Sequence, residues 1–210
     1  MTLKEPDHKW VYLFREGSED MRALLGGKGA GLAEMTRAEL PVPTGFTITT
    51  EACNRYYTNN RTVPAAVDTE MLKRLRRLEK TAGASFGSLE RPLLLSVRSG
   101  ATFSMPGMMD TILNLGLNDA TVQALDRQTG NGRFAFDSYR RFIQMFGDVV
   151  LGVDSSILNA IISEEERNRG VAHAGDLGPK ELRQLINTLK AAVSEAAGTS
   201  VPDDPYQQLE

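Results

Sequence analysis

Apolar and polar residues recur along this chain with two different periods, and the change falls near residue 116. Trp10 to Phe14 are aromatic and β-branched, which predicts a strand. Residues 18–25 read as a short helical turn or connector. A glycine-rich stretch from Gly26 then runs into good helix formers as far as Met35, and Pro41 and Pro43 break that helix. Residues 45–50 alternate Phe46 and Ile48 with threonines, the pattern of a half-buried strand, and residues 51–58 start another helix. Met71, Leu72, Leu75 and Leu78 fall at helical spacing within 68–82, and Lys73, Arg74, Arg76 and Arg77 read as its solvated face. Residues 93–97, after Pro92, form a continuous apolar run that predicts a buried strand.

Beyond 116 the pattern is helical, with no convincing strand. Phe134, Tyr139, Phe142, Ile143 and Phe146 stripe a first helix. Ile157, Leu158, Ile161 and Ile162 stripe a second, with Asp154 or Ser155 as its N-cap. Leu182, Leu185, Ile186, Leu189 and Val193 stripe a third, starting near Pro179 and stopping by Gly198. The fold class expected is α+β: an α/β lobe over 1–116, a small helical bundle over 117–200, and a C-terminal tail over 201–210. Leu209-Glu210 reads as a cloning remnant.

Composition narrows the function classes. A chain of 210 residues can bury roughly 70% of its unfolded surface and needs no covalent staple. Its net charge of −3 argues against a nucleic-acid partner, whose binding domains are usually basic. One cysteine, Cys53, excludes an internal disulfide and a multi-cysteine zinc site; the two histidines, His8 and His173, lie far apart in sequence. No apolar run approaches the roughly 20 residues of a membrane span, and the first ten residues lack the apolar core of a signal peptide. The expected location is cytoplasmic, with no membrane partner.

Three segments carry candidate chemistry. In Gly26-Gly27-Lys28-Gly29, glycines permit close approach of backbone N–H groups to a phosphate, the following helix adds positive partial charge, and Lys28 adds a mobile ammonium. The P-loop pattern fails, because Arg22 and Gly29 stand where Gly and Ser or Thr are required. The dinucleotide pattern fails at Leu32. Taken alone, the segment reads equally as a flexible turn. Arg98 ends an apolar strand in Ser96-Val97-Arg98-Ser99-Gly100, where it serves either as a planar fork for phosphate or as a structural arginine paired to a carboxylate. Met105, Met108 and Met109 in the loop 104–111 offer either an adaptable apolar surface for a flat ring or filling for the core below. Asp110 has no second acidic residue near it in sequence, so a two-carboxylate metal site is unsupported. Cys53 reads as a small buried residue, and His173 as a loop residue without a catalytic role.

Several segments together resemble the pyruvate, phosphate dikinase family: Leu24-Leu25-Gly26-Gly27-Lys28-Gly29, Gly45 to Cys53 (GFTITTEAC), Ser96 to Ala101 (SVRSGA), Ser104 to Asn118 (SMPGMMDTILNLGLN) and Asp137 to Met145 (DSYRRFIQM). The likeness covers nearly the whole chain and is weakest over 60–90 and 150–200. The SMPGMMDT run favours this family over the phosphoenolpyruvate synthases, which share the GGKG and VRS elements. That alternative dikinase, and a standalone nucleotide-binding or docking module, are the competing readings. The resemblance implies an ATP-grasp-like first lobe from the N-terminal, ATP-binding region of a kinase. The family makes phosphoenolpyruvate, AMP and pyrophosphate from ATP, phosphate and pyruvate, with magnesium. A phosphohistidine domain and a pyruvate-binding domain are the implied partners, in a homodimeric parent. By motif match, Lys28 and Arg98 contact the ATP phosphates, Gly26, Gly27 and Gly29 cradle them, and Met109 lies near the adenine. No metal ligand is assigned in this chain, the carboxylates for Mg2+ being expected in a second lobe, and the phosphocarrier histidine is expected elsewhere. Gly31 and Thr102-Phe103 depart from the family pattern. The chain alone is expected not to turn over.

Overall fold

The computed structural model describes residues 8–100 and 111–209. Its contacts divide it into two units that interleave in sequence. One holds residues 8–83 with 99–100, the other residues 84–98 with 111–209. Among the described residues the chain is a mixture of helices and three two-stranded sheets. The composition change at 116 is a different quantity from this division: it marks where strands stop, whereas the units follow packing.

In the first unit, β1 (Val11–Leu13) pairs antiparallel with β2 (Phe46–Ile48), Val11 opposite Ile48 and Leu13 opposite Phe46. Between them runs α1 (Arg22–Arg37), and after them α2 (Thr50–Thr58) and α3 (Ala65–Ala82). Val11 and Leu13 point into a core shared with Leu25, Ala30 and Ala33 of α1, Ala52 of α2, and Val67, Leu75 and Leu78 of α3. Lys73, Arg76 and Arg77 are solvated as expected, while half-buried Arg74 reaches Glu16 at 3.5 Å. Both Glu70 and Thr49 act as fasteners. The Glu70 carboxylate accepts from the N–H groups of Trp10 and Val11, each at 2.9 Å, and so ties α3 to the start of β1. Thr49 is buried, and its hydroxyl accepts from Ala52 N to cap α2.

In the second unit, β3 (Ser85–Phe86) runs parallel to β4 (Pro92–Leu93), and β5 (Leu95–Arg98) runs antiparallel to β6 (Thr111–Leu115). The apolar run 93–97 is therefore not one buried strand. It breaks at Leu94, and Val97 is 42% exposed. A two-stranded ribbon has one face to spare, and a run of leucines does not say whether anything covers it.

Four helices complete the second unit: α4 (Thr121–Thr129), α5 (Gly132–Met145), α6 (Ser155–Arg169) and α7 (Pro179–Ala197). Helix α5 is central, touching α4, α7 and β6. Phe136, Phe142 and Ile143 are buried along it, and the Phe142 ring lies between Tyr139 and Phe146. Phe134, assigned to that stripe from the sequence, is instead 51% exposed, because it stands in the first turn beside the cap. The caps of α6 and α7 match expectation: Asp154 accepts from Ser156 N at 2.8 Å, Pro179 opens α7, and Gly198 closes it at φ +67°. Helix α4 had no counterpart in the sequence reading.

Residues 201–209 were expected as a tail, yet they are packed into this unit. Gln208 is 6% exposed; its Oε1 accepts from Gly116 N at 2.9 Å, and its Nε2 donates to Leu117 O at 3.0 Å and Pro202 O at 2.9 Å. Tyr206 meets Phe86 edge to face. Among the described residues, no helix is long and apolar enough to cross a membrane.

Candidate nucleotide site

The glycine-rich segment lies within α1, which is two helical pieces joined at a break. Gly26 sits at φ 69° and ψ 169°, outside the helical region. Such a conformation is essentially open to glycine alone. The break makes Gly27, Lys28 and Gly29 the first turn of a helix running on to Arg37. First-turn amides have no intrahelical acceptor and point outward with the positive end of the helix dipole. That is the backbone arrangement a phosphate group needs.

The glycines of this segment differ in what requires them. Gly26 supplies the break. Gly29 is buried, and a Cβ there would lie 2.7 Å from Thr47 Cγ2 and 2.9 Å from its Oγ1, so glycine lets α1 approach β2. Gly31 would meet nothing within 4 Å and has no packing reason to be glycine. Lys28 is half-buried, and its Nζ donates to the carbonyl of Ser99, a residue of the same unit, at 3.3 Å.

Arg98 belongs to the second unit. It ends β5 opposite Thr111 and is exposed. Among the described residues no carboxylate pairs with Arg98 or with Lys28. The buried Arg140, by contrast, is a paired structural arginine. Arg140 is held by Asp137 at 2.8 Å and Gln144 at 3.0 Å, with Arg141 sharing the same aspartate. Met109, Asp110 and the other methionines of 104–110 lie outside the described residues.

Other candidates fall away or change. Cys53 is exposed on α2, which corrects the expectation of a buried residue: it stands on the outer side of a helix that turns Ala52 inward. His173 is exposed, and His8 pairs with Glu51 at 2.7 Å. Among the described residues no group of three or more His, Cys, Asp or Glu side chains is placed to hold a metal ion, so no step through magnesium is derived from them. Two further residues flank the Gly26 break: Thr47, against Gly29 after it, and Thr50, whose hydroxyl donates to Ala23 O at 2.8 Å before it. The only signal they gave was membership of a half-buried strand and a helix start.

Residues 22–82 match a family model described as the pyruvate phosphate dikinase AMP/ATP-binding domain. They begin at the first residue of α1 and end at the last of α3. The chain is 50% identical over 202 residues to the pyruvate, phosphate dikinase of Clostridium symbiosum, covering 96% of this chain and 23% of that protein. It is 50% identical over 205 residues to that of Rhizobium meliloti (strain 1021), with the same coverage of 96% and 23%. The chloroplastic protein of Flaveria pringlei is 50% identical over 195 residues, 93% of this chain and 20% of that protein. The chain thus spans under a quarter of the length of these relatives. Residues 22–82 thus match the AMP/ATP-binding-domain model, and nearly the whole chain aligns with pyruvate, phosphate dikinases that are several times longer.

Proposed function

We propose that this chain is the ATP-binding portion of a pyruvate, phosphate dikinase. That enzyme would form phosphoenolpyruvate, AMP and pyrophosphate from ATP, phosphate and pyruvate by way of a phosphohistidine. The observation that carries the reading is the broken helix at Gly26, with Lys28 in the first turn after it and, among the described residues, no carboxylate paired to its ammonium. The identity of about half over nearly the whole chain supports it. In this reading the amides of Gly27, Lys28 and Gly29 donate to phosphate oxygens, while Lys28 and Arg98 neutralise phosphate charge. Phosphoryl transfer depends mainly on positioning and charge neutralisation, which suits one lysine and one arginine that pair with no carboxylate among the described residues.

The finer assignments belong to the same reading. Met109 lies near the adenine, the lobe is ATP-grasp-like, and the protein is cytoplasmic. Magnesium accompanies ATP, held by carboxylates of a second lobe and by no residue of this chain. The phosphohistidine and pyruvate-binding domains, and the dimer, belong to a longer protein.

Amide resonances of the 15N-labelled chain, titrated with ATP, test the core claim. ATP is expected to shift Gly27, Lys28 and Gly29. Lys28→Ala is expected to weaken binding by about 1.5–3 kcal/mol, roughly ten- to hundredfold in Kd, as for loss of a charged hydrogen bond. Its unfolding midpoint should stay unchanged. A silent turn, or a Lys28→Ala variant that binds as well as the parent, overturns the reading. A coupled assay for phosphoenolpyruvate is expected to show no turnover by the 210-residue chain.

A further inference from the structure

We propose that Thr47 and Thr50 are positioning residues for the glycine turn, fixing the helix start that presents Lys28. This rests on reading that turn as a phosphate cradle. Both threonines lie at one junction, Thr47 within β2 and Thr50 opening α2. Thr49 between them is buried, caps α2 through Ala52 N, and donates its own N–H to Trp10 O at 3.0 Å. Through β1, the junction is tied on to Glu70 of α3.

From this base the threonines act on the turn from both sides of the Gly26 break. Thr47 is a spacer: its Cγ2 and Oγ1 fill the space that a Cβ at Gly29 would take. A β-branched side chain is stiff at χ1, so it sets the distance between β2 and the turn with little give. Thr50 is a tie: its hydroxyl donates at 2.8 Å to the carbonyl of Ala23, three residues before the break. A backbone cradle must hold its donors to within about 0.5 Å of the productive geometry. Glycines alone would leave this one loose, because they are the residues with the most backbone freedom.

The test uses the 210-residue chain and four variants. Thr50→Val removes the hydroxyl and keeps the shape. Thr50→Ser keeps the hydroxyl. Thr47→Ala removes the spacer. Thr36→Val removes a comparable bond, Thr36 Oγ1 to Leu32 O at 2.7 Å, at the far end of α1. Amide exchange at Gly26 to Gly29 and the Kd for ATP are measured on each, with global stability from urea unfolding. Thr50→Val and Thr47→Ala are expected to speed exchange in the turn, and to raise the Kd, by about fivefold beyond the effect of their global stability change. Thr50→Ser should restore both, and Thr36→Val should alter neither. If Thr50→Val and Thr47→Ala behave at the turn like Thr36→Val, the positioning role is overturned. If the parent turn does not respond to ATP at all, the phosphate reading fails and the proposal with it. In that case the exchange data still report whether the threonines brace the turn.

Discussion

Gly26, Gly29 and Gly31 stand within six residues of one another and meet three different surroundings, so alanine separates them. At Gly26, φ 69° and ψ 169° put alanine in strained backbone, at a cost of about 1–3 kcal/mol. At Gly29 the new methyl meets Thr47 at 2.7 Å, an overpacking cost of about 1–3 kcal/mol. At Gly31 nothing lies within 4 Å, and alanine in a helix interior gains about 0.8–1 kcal/mol over glycine. Urea unfolding of the three variants is expected to show two losses and one gain. The sequence made the turn legible as a turn, but not this division of roles, because the division is set by the backbone angle and by what β2 places beside it.

Glu16 offers a second test at this scale. Partial burial disfavours its charge, but the hydrogen bond from Leu13 N at 2.9 Å, then Lys9 at 3.0 Å and Arg74, outweigh that and hold the carboxyl below its ordinary value. A lowered pKa in the folded state means stability that is present above the unfolded carboxylate pKa and lost as pH falls through the folded one. Glu16→Gln is therefore expected to lower the melting temperature at pH 7, and to differ less and less from the parent as the pH drops below the ordinary glutamate range. A difference that stays constant into acid would remove the charge from the explanation.

At the scale of elements, the long helices were legible and the short pieces were not. Helices α3 and α7 each carry an apolar stripe longer than two turns and α6 a shorter one, and their end residues have strong local preferences, such as Asp154, Pro179 and Gly198. Helix α4 has nine residues, and its mixed polarity gives the helical period little to work with. Strand β5 failed for another reason: whether Val97 is covered depends on what lies over the ribbon, which Leu93, Leu94 and Leu95 do not encode. Phe134 failed because an end turn escapes the face that the rest of α5 buries. The cap that places that turn can be weighed directly. Asn131 accepts from Phe134 N at 3.0 Å. Asn131→Ala is expected to cost about 1 kcal/mol by thermal unfolding, and Asn131→Asp, which keeps the acceptor, much less.

For the whole molecule, the ending of the described chain matters most, because composition and packing disagree there. Val201 to Leu209 are rich in Pro, Asp and Gln and have no apolar period, so they read as a tail. Packing instead sets Gln208 in a buried position where its amide meets three backbone groups around Gly116 and Leu117. Gly116 itself is required there: its φ is +104°, and a Cβ would lie 2.8 Å from the Phe86 ring. Removing the Gln208 amide leaves buried backbone donors and acceptors unpaired, at about 1–3 kcal/mol each. Gln208→Ala is therefore expected to lose about 3 kcal/mol, and Gln208→Glu no less at neutral pH, because a carboxylate oxygen would replace the donor facing Leu117 O and Pro202 O. Urea unfolding gives the total, and exchange at the Gly116 amide gives the location. A Gln208→Ala chain within about 0.5 kcal/mol of the parent, the range of ordinary surface substitutions, would return residues 201–209 to the loose tail that their composition suggests.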